Sequence, residues 1–137
     1  MTIKIGINGF GRMGRLSFRA AFDWPEFEFI QINDPAGNAE TLAHLINFDS
    51  VHGRWHHEAK TDKNSDSGDD IIVNGHRIKL SHNKAISDTD WSACDIVIEA
   101  SGKMNQKDKL QAYLEQGVKR VVVTAPVKED GVLNVVM

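Results

Sequence analysis

Three glycines near the start of the chain, Gly9, Gly11 and Gly14 in "IGINGFGRMGR", have the spacing Gly-x-Gly-x-x-Gly. That spacing carries chemistry in one setting, after a strand and at the opening of a helix. There Gly9 permits a tight turn, Gly11 lets the backbone approach a pyrophosphate with no Cβ in the way, and Gly14 lets the helix lie close to the strand. The helix N-terminus, near Arg12 and Met13, adds free N–H donors and a partial positive charge. Asp34 stands 20 positions beyond Gly14 and ends "FIQIND". A carboxylate there accepts hydrogen bonds from both hydroxyls of an adenosine ribose and repels a 2′-phosphate, which predicts NAD rather than NADP. Without the glycines upstream, Asp34 would read as no more than the start of a turn before Pro35.

The flanking segments supply the required setting. Thr2 to Asn8 carries Ile3, Ile5 and Ile7 and stops at a glycine, which reads as a buried strand. From Arg12 a helix follows, with Met13, Leu16, Phe18, Ala20 and Ala21 as its apolar face, closing near Trp24 and Pro25. "FEFIQIND" is the next strand, although its alternation of apolar and polar residues is imperfect. Asn38 caps a second helix bearing Leu42, Ala43, Leu45 and Ile46. From about Trp55 to Ser87 the texture changes. Asn74-Gly75 in "IIVNGHRIKL" signals a type I′ hairpin, read as an antiparallel insertion at one edge of the sheet. "CDIVIEASG" then reads as a strand, "QKDKLQAYLEQG" as a helix ending on Gly117, and "VKRVVVTAP" as a last strand. The alternation predicts an α/β fold of the Rossmann type, doubly wound, with a mainly parallel sheet and an antiparallel hairpin insertion, in one domain over residues 1–137.

Composition narrows the function classes. A net charge of −3 with both signs interspersed offers no basic stripe for nucleic acid. No apolar run approaches the roughly 20 residues that span a bilayer, so neither nucleic acid nor a membrane is an expected partner. One cysteine, Cys94, forbids an intramolecular disulfide, and with no signal-peptide pattern the expected compartment is the cytoplasm. Beside Asp95 that thiol should have a raised pKa, the opposite of what a nucleophile needs, so Cys94 reads as structural.

Two clusters invite a metal reading. His44, His52, His56 and His57 crowd a short interval, but their spacing fits no zinc motif and they read as surface or strand histidines. "DKNSDSGDD" lacks the glycine and glutamate positions of a calcium loop and reads as a solvated loop. No metal site is therefore expected. A short-chain dehydrogenase would need a Tyr-x-x-x-Lys pair, and the only tyrosine, Tyr113, has Gly117 at that position.

Taken together, "IGINGFGRMGR", "QIND", "FDSVHGRW", "EASG" and "VKRVVVTAPVK" resemble the N-terminal domain of phosphorylating glyceraldehyde-3-phosphate dehydrogenases. The resemblance runs over nearly the whole chain in the same motif order. It implies that Asn8, Gly9, Phe10, Gly11, Arg12 and Met13 form the pyrophosphate turn and that Asp34 holds the adenosine ribose. It further implies that Ser101 and Gly102 line the nicotinamide side and that Thr124 lies near the nicotinamide ribose. "FDSVHGRW" then reads as interdomain structure. "SHNKAI", from Ser81 to Ile86, departs from the family's Glu-Arg-Asp-Pro at the adenine, where Lys84 or His82 would substitute. "DTDW", "WHH" and "GVLNVVM" resemble a branch of the family associated with arsenate resistance.

The resemblance also implies what this chain does not carry. The family's nucleophilic cysteine, in Ser-Cys-Thr-Thr-Asn, and its partner histidine belong beyond Met137. The expectation is a cofactor half, inactive alone, of an oxidoreductase that acts on an aldehyde phosphate and assembles as a homo-oligomer. The alternative is a regulatory module that senses a dinucleotide and does no chemistry.

Overall fold

The computed structural model describes residues 2–62, 70–104 and 106–135. Strand β1 (Ile3–Asn8) leads into helix α1 (Arg12–Ala21), then β2 (Phe27–Asn33) and α2 (Ala39–Asn47). A small hairpin of β3 (Phe48–Asp49) and β4 (Gly53–Arg54) precedes β5 (Ala59–Asp62), β6 (Asp70–Val73) and β7 (His76–Ser81). A short 3-10 turn at Ile86–Asp88 leads to β8 (Ile96–Glu99), α3 (Lys107–Glu115) and β9 (Arg120–Val123). The main sheet has the order β5-β6-β7-β2-β1-β8-β9. Its five strands from β7 to β9 are mutually parallel, and β5 and β6 extend it antiparallel.

β1 is the topological pivot. The chain moves from it to β2 and β7 on one side, and later returns to β8 and β9 on the other. Its residues alternate between two hydrophobic clusters, as a strand buried on both faces must. Ile5 and Ile7 pack with Phe18, Phe29, Trp55 and the apolar side of α2. Gly6 faces the opposite way: a Cβ there would press on Cys94 Sγ and the Trp91 ring, which belong to the second cluster with Val97, Leu110 and Tyr113.

The imperfect alternation in β2 has a structural cause. Ile5 pairs with Phe29 but Gly6 pairs with Gln31, so Ile30 is an extra residue opposite no partner in β1. This bulge reverses the phase of the strand. Phe29 lies in the first cluster and Ile30 packs against the second, after which Ile32 returns to the first. Asn33 thereby comes to the same side of the sheet as Asn8, to which it is bonded.

Two local expectations are corrected. In α1 the buried residues are Gly14 and Phe18, with Ala21 and Phe22 packed partly behind them, whereas Met13 and Ala20 are exposed. The core-facing stripe therefore runs 14, 18, 21, 22, the i, i+4, i+7, i+8 positions of one helix face. The helix also stops at Ala21, before Trp24. The antiparallel hairpin lies at one edge of the sheet, as expected. Asn74 (φ 51°) and Gly75 (φ 75°) have the two positive φ values of a type I′ turn, yet the strand that leaves it, β7, pairs in parallel with β2. The Asn38 cap is as expected, its side chain accepting from Thr41 N at 2.9 Å. Most of "DKNSDSGDD" lies outside the described residues; its ends, Asp62 and Asp70, face each other across β5 and β6 and both accept from Arg77.

Candidate functional site

Four parallel strands end in one row. Asn8 pairs with Asn33 on one side and with Glu99 on the other, and Glu99 pairs with Val123. The residues that follow are therefore neighbours: Gly9, Asp34, Ala100 with Ser101, and Thr124. In open α/β sheets the crevice at such a row, where the strand order reverses, is where ligands bind.

The glycines divide into those the fold requires and one it does not. Gly9 has φ +91°, and a Cβ there would collide with the Ser101 backbone. A Cβ on Gly14 would collide with the Gly9 carbonyl, so α1 packs directly on the turn. Gly11 is different. Its backbone is extended (φ −73°, ψ −160°), and no atom lies within 4 Å of where its Cβ would stand. Neither backbone strain nor packing asks for glycine at this position. A ligand that came close to the backbone would.

Gly11 is also the N-cap of α1, with no side chain to satisfy the first helical N–H groups and no acidic residue in the first turn. Those donors and the positive end of the helix dipole face open space, a combination that fits a pyrophosphate. Around them, Phe10 is buried with its ring edge on Phe18, while Arg12 is exposed and paired with Asp49 at 3.3 Å.

Asp34 does two things at once. Its Oδ2 accepts from Phe10 N at 2.6 Å, tying the end of β2 to the glycine turn. Its Oδ1 accepts from Ala36 N at 2.8 Å, which is the turn before the next helix. A carboxylate has about four acceptor positions, so lone pairs remain for two hydroxyls. The backbone carbonyl of Asp34 meets His82 Nδ1 at 2.9 Å, and Ser81, His82 and Asn83 line a cleft of about 370 Å³ beyond β2.

Beneath the row lies a buried network that sequence reasoning did not find. Glu99 is 1% exposed. Its Oε1 accepts from Asn8 Nδ2 at 2.8 Å and from Tyr113 OH at 2.7 Å. Its Oε2 accepts from Ser101 N at 2.9 Å and from Ser101 Oγ at 2.7 Å. Burial, and then the Glu99 charge, push the Tyr113 hydroxyl far above its ordinary pKa, so it remains a donor. Asn33 joins by donating to Asn8 Oδ1 at 2.9 Å, while Ser81 Oγ and Asn83 N donate to Asn33 Oδ1. The side chain of Asn8 is thus held inside the sheet and positions the turn from behind. The signal in the sequence was an acid closing the apolar run "IVIE", since a buried carboxylate demands partners.

A family model described as "Glyceraldehyde 3-phosphate dehydrogenase, NAD binding domain" matches residues 3–107. The chain belongs to the glyceraldehyde 3-phosphate dehydrogenase family. Glyceraldehyde-3-phosphate dehydrogenase 3 of Nostoc sp. is 45% identical over 139 residues, covering 100% of this chain and 40% of the relative. Glyceraldehyde-3-phosphate dehydrogenase 2 of Bacillus subtilis is 42% identical over 135 residues, and the enzyme of Geobacillus stearothermophilus 38% over 134, each covering 96% of this chain and 38% of the relative. The chain thus spans about two fifths of the length of the curated relatives it matches. The cofactor of this glyceraldehyde 3-phosphate dehydrogenase family domain is NAD.

On the other side of the crevice, Ser101 and Gly102 follow β8 and Thr124 follows β9. Ser101 is fixed through Glu99, and its Oγ accepts from Lys103 N at 3.3 Å; Gly102 turns the chain with φ +74°. Thr124 N donates to the Glu99 carbonyl at 3.1 Å. Cys94 is 2% exposed, and burial, followed by Asp95 and Asp90, pushes its thiol up to about 12. It lies under Gly6 among core residues, as a structural cysteine would. His44 packs against Phe48 and His52 lines a shallow cleft with Trp55 and His56, but only His56 and His57, which sit in a bend rather than a strand, are directed at Asp23. No helix among the described residues is long and apolar enough to cross a membrane.

Proposed function

We propose that NAD lies across the row of strand ends with its pyrophosphate over the turn formed by Gly9, Phe10, Gly11, Arg12 and Met13. Asp34 holds the adenosine ribose, and Ser101, Gly102 and Thr124 orient the nicotinamide half. Asn8 contributes from behind, through Glu99. The observation that carries this reading is Gly11, a glycine with no conformational or steric reason to be one except a ligand against its α-carbon.

This half supplies position and electrostatics to a dehydrogenase whose nucleophile lies in another part of the protein. NAD, when bound, accepts a hydride. The family resemblance supports the remaining chemistry. A cysteine thiolate adds to the aldehyde carbon of a glyceraldehyde 3-phosphate-like substrate, and loss of hydride from the adduct leaves a thioester. Phosphate, or arsenate, then displaces the thiol to release an acyl phosphate or acyl arsenate. The role of this chain is to present one face of the nicotinamide to that adduct and to hold the rest of the cofactor still. The full protein acts as a homo-oligomer in the cytoplasm.

Calorimetric titration with NAD and NADP tests the site. The parent chain should bind NAD in preference to NADP, Gly11→Val should lose binding with its fold intact, and Asp34→Ala should narrow the preference. NAD binding by Gly11→Val as tight as the parent's would sink the proposed turn.

A further inference from the structure

On the far side of the first hydrophobic cluster, three segments distant in sequence meet at one point. Asp23 follows α1, His56 and His57 lie between β4 and β5, and Asn74 forms the turn between β6 and β7. His57 Nε2 stands 2.6 Å from Asp23 Oδ1 and His56 Nε2 stands 2.9 Å from Asp23 Oδ2. One ligand atom from each of the three residues falls within 4.8 Å of the others. We propose that Asp23, His56 and His57 form a binding site for a zinc-class divalent ion, clasping the end of α1 to the loop before β5.

The donor set selects the ion class. Two imidazole nitrogens and one carboxylate oxygen suit zinc, cobalt or nickel, whereas magnesium and calcium favour sites built of oxygen alone. With metal–ligand bonds of about 2.0–2.1 Å, ligands of a four-coordinate ion stand about 3.3 Å apart, so the cluster must adjust rather than assemble. The adjustment is available because Asp23 and His56 are exposed, with side chains 53% and 65% accessible. Their exposed side leaves a fourth position to water.

His57 provides the fixed reference. Its side chain is 17% accessible, and its ring stands edge-on to Trp55 at 4.9 Å and to Phe22 at 5.3 Å. Its other nitrogen, Nδ1, lies 3.0 Å from Asn74 Nδ2. With that carboxamide turned over, Asn74 Oδ1 accepts from Nδ1–H and the lone pair of Nε2 is free for an ion. A carbonyl behind the ligating histidine is the usual outer partner of a zinc-bound imidazole. Here a turned carboxamide would supply it, from a residue held in the left-handed region by the hairpin turn. An ordinary surface ion pair requires neither a second histidine on the same carboxylate nor a fixed amide behind the first.

The site is remote from the glycine turn, so its failure would leave the cofactor reading untouched. The test is calorimetric titration of the 137-residue chain with Zn²⁺ in chelator-free buffer, repeated with Co²⁺ to read its visible ligand-field bands. The expected result is one saturable equivalent, bands typical of a low-coordinate nitrogen and oxygen site, and a melting temperature that rises with Zn²⁺. Asp23→Asn and His56→Gln, both at exposed positions, should each weaken binding at least tenfold. Asn74→Gly keeps the turn and removes the carboxamide, and should weaken it less. His44→Gln should bind like the parent. No saturation at millimolar Zn²⁺, or binding unchanged in Asp23→Asn and His56→Gln, would overturn the proposal and leave a histidine–carboxylate ion pair.

Discussion

Polar groups gather in two places in this domain, and the two are built in opposite ways. Around Asn8 and Glu99 they are sealed under the strand ends, each bonded to a partner that is itself bonded. Around Asp23 they stand largely in solvent, with the His57 ring packed on Trp55 and Phe22 and with Asp23 and His56 exposed. The buried arrangement fixes backbone: it sets the end of β1, the start of the glycine turn and the position of Ser101 before any ligand arrives. The exposed arrangement fixes little, so its ligand atoms can exchange a hydrogen bond for a metal bond at small cost. Preorganisation of this kind suits a large cofactor whose reactive ring must be aimed, while a small ion can draw mobile ligands around itself.

The largest effects should come from breaking the buried side. Gly9→Val combines a φ that valine rarely adopts with a collision against Ser101. It should cost more than about 3 kcal/mol and yield little folded protein, seen as loss of a cooperative circular dichroism melt. Next comes Glu99→Ala, which strips the acceptor from four donor contacts and should cost roughly 3 kcal/mol in urea unfolding. Glu99→Gln should recover part of that loss. If Glu99→Ala melts like the parent, the network does not organise the strand ends.

A further effect concerns pH. The folded Cys94 thiol is raised to about 12 from an ordinary 9.0, so its contribution to stability is intact below pH 9 and lost between pH 9 and 12 as the unfolded chain ionises first. Over that window the parent should lose more stability than Cys94→Ala. At pH 8 the native thiol should react with a disulfide reagent far more slowly than after unfolding. At the exposed corner the comparison predicts almost nothing: with a chelator present, Asp23→Asn should melt where the parent does. A marked drop there would show that the corner is structural without any ion.

Much of this was legible from local pattern. The glycine spacing, the Asn38 cap and the Asn74-Gly75 turn each act within a few residues, and the structure has a strand-to-helix turn, a capped helix start and a type I′ turn at those positions. What escaped depends on register or on tertiary meeting. The bulge at Ile30 shows in the sequence only as a flaw in alternation, because nothing local says which strand will face it. Met13 and Ala20 looked core-facing since apolar content alone does not choose between adjacent helical stripes, and the close approach of Gly14 to Gly9 makes that choice. Asn8, Glu99 and Tyr113 are separated by up to 105 positions, and Asp23 lies 33 before His56. No spacing rule joins residues that only a sheet or a loop packing brings together. Spacing alone makes His56 and His57 surface or strand histidines, since their common partner is an aspartate just past the end of a helix.

The division of the core by the sheet has an optical consequence. One face carries Trp55, packed against Phe18 and Phe22, and the other carries Trp91, fully buried against Tyr113; Trp24 is 58% exposed. Each side of the sheet therefore holds its own buried chromophore, and the third is already in water. In chains that keep only Trp55 or only Trp91, the red shift of emission on unfolding reports one face at a time. Coincident transitions would mean that the two layers melt as one cooperative unit, and separate ones that the β1 pivot can hold one layer while it releases the other.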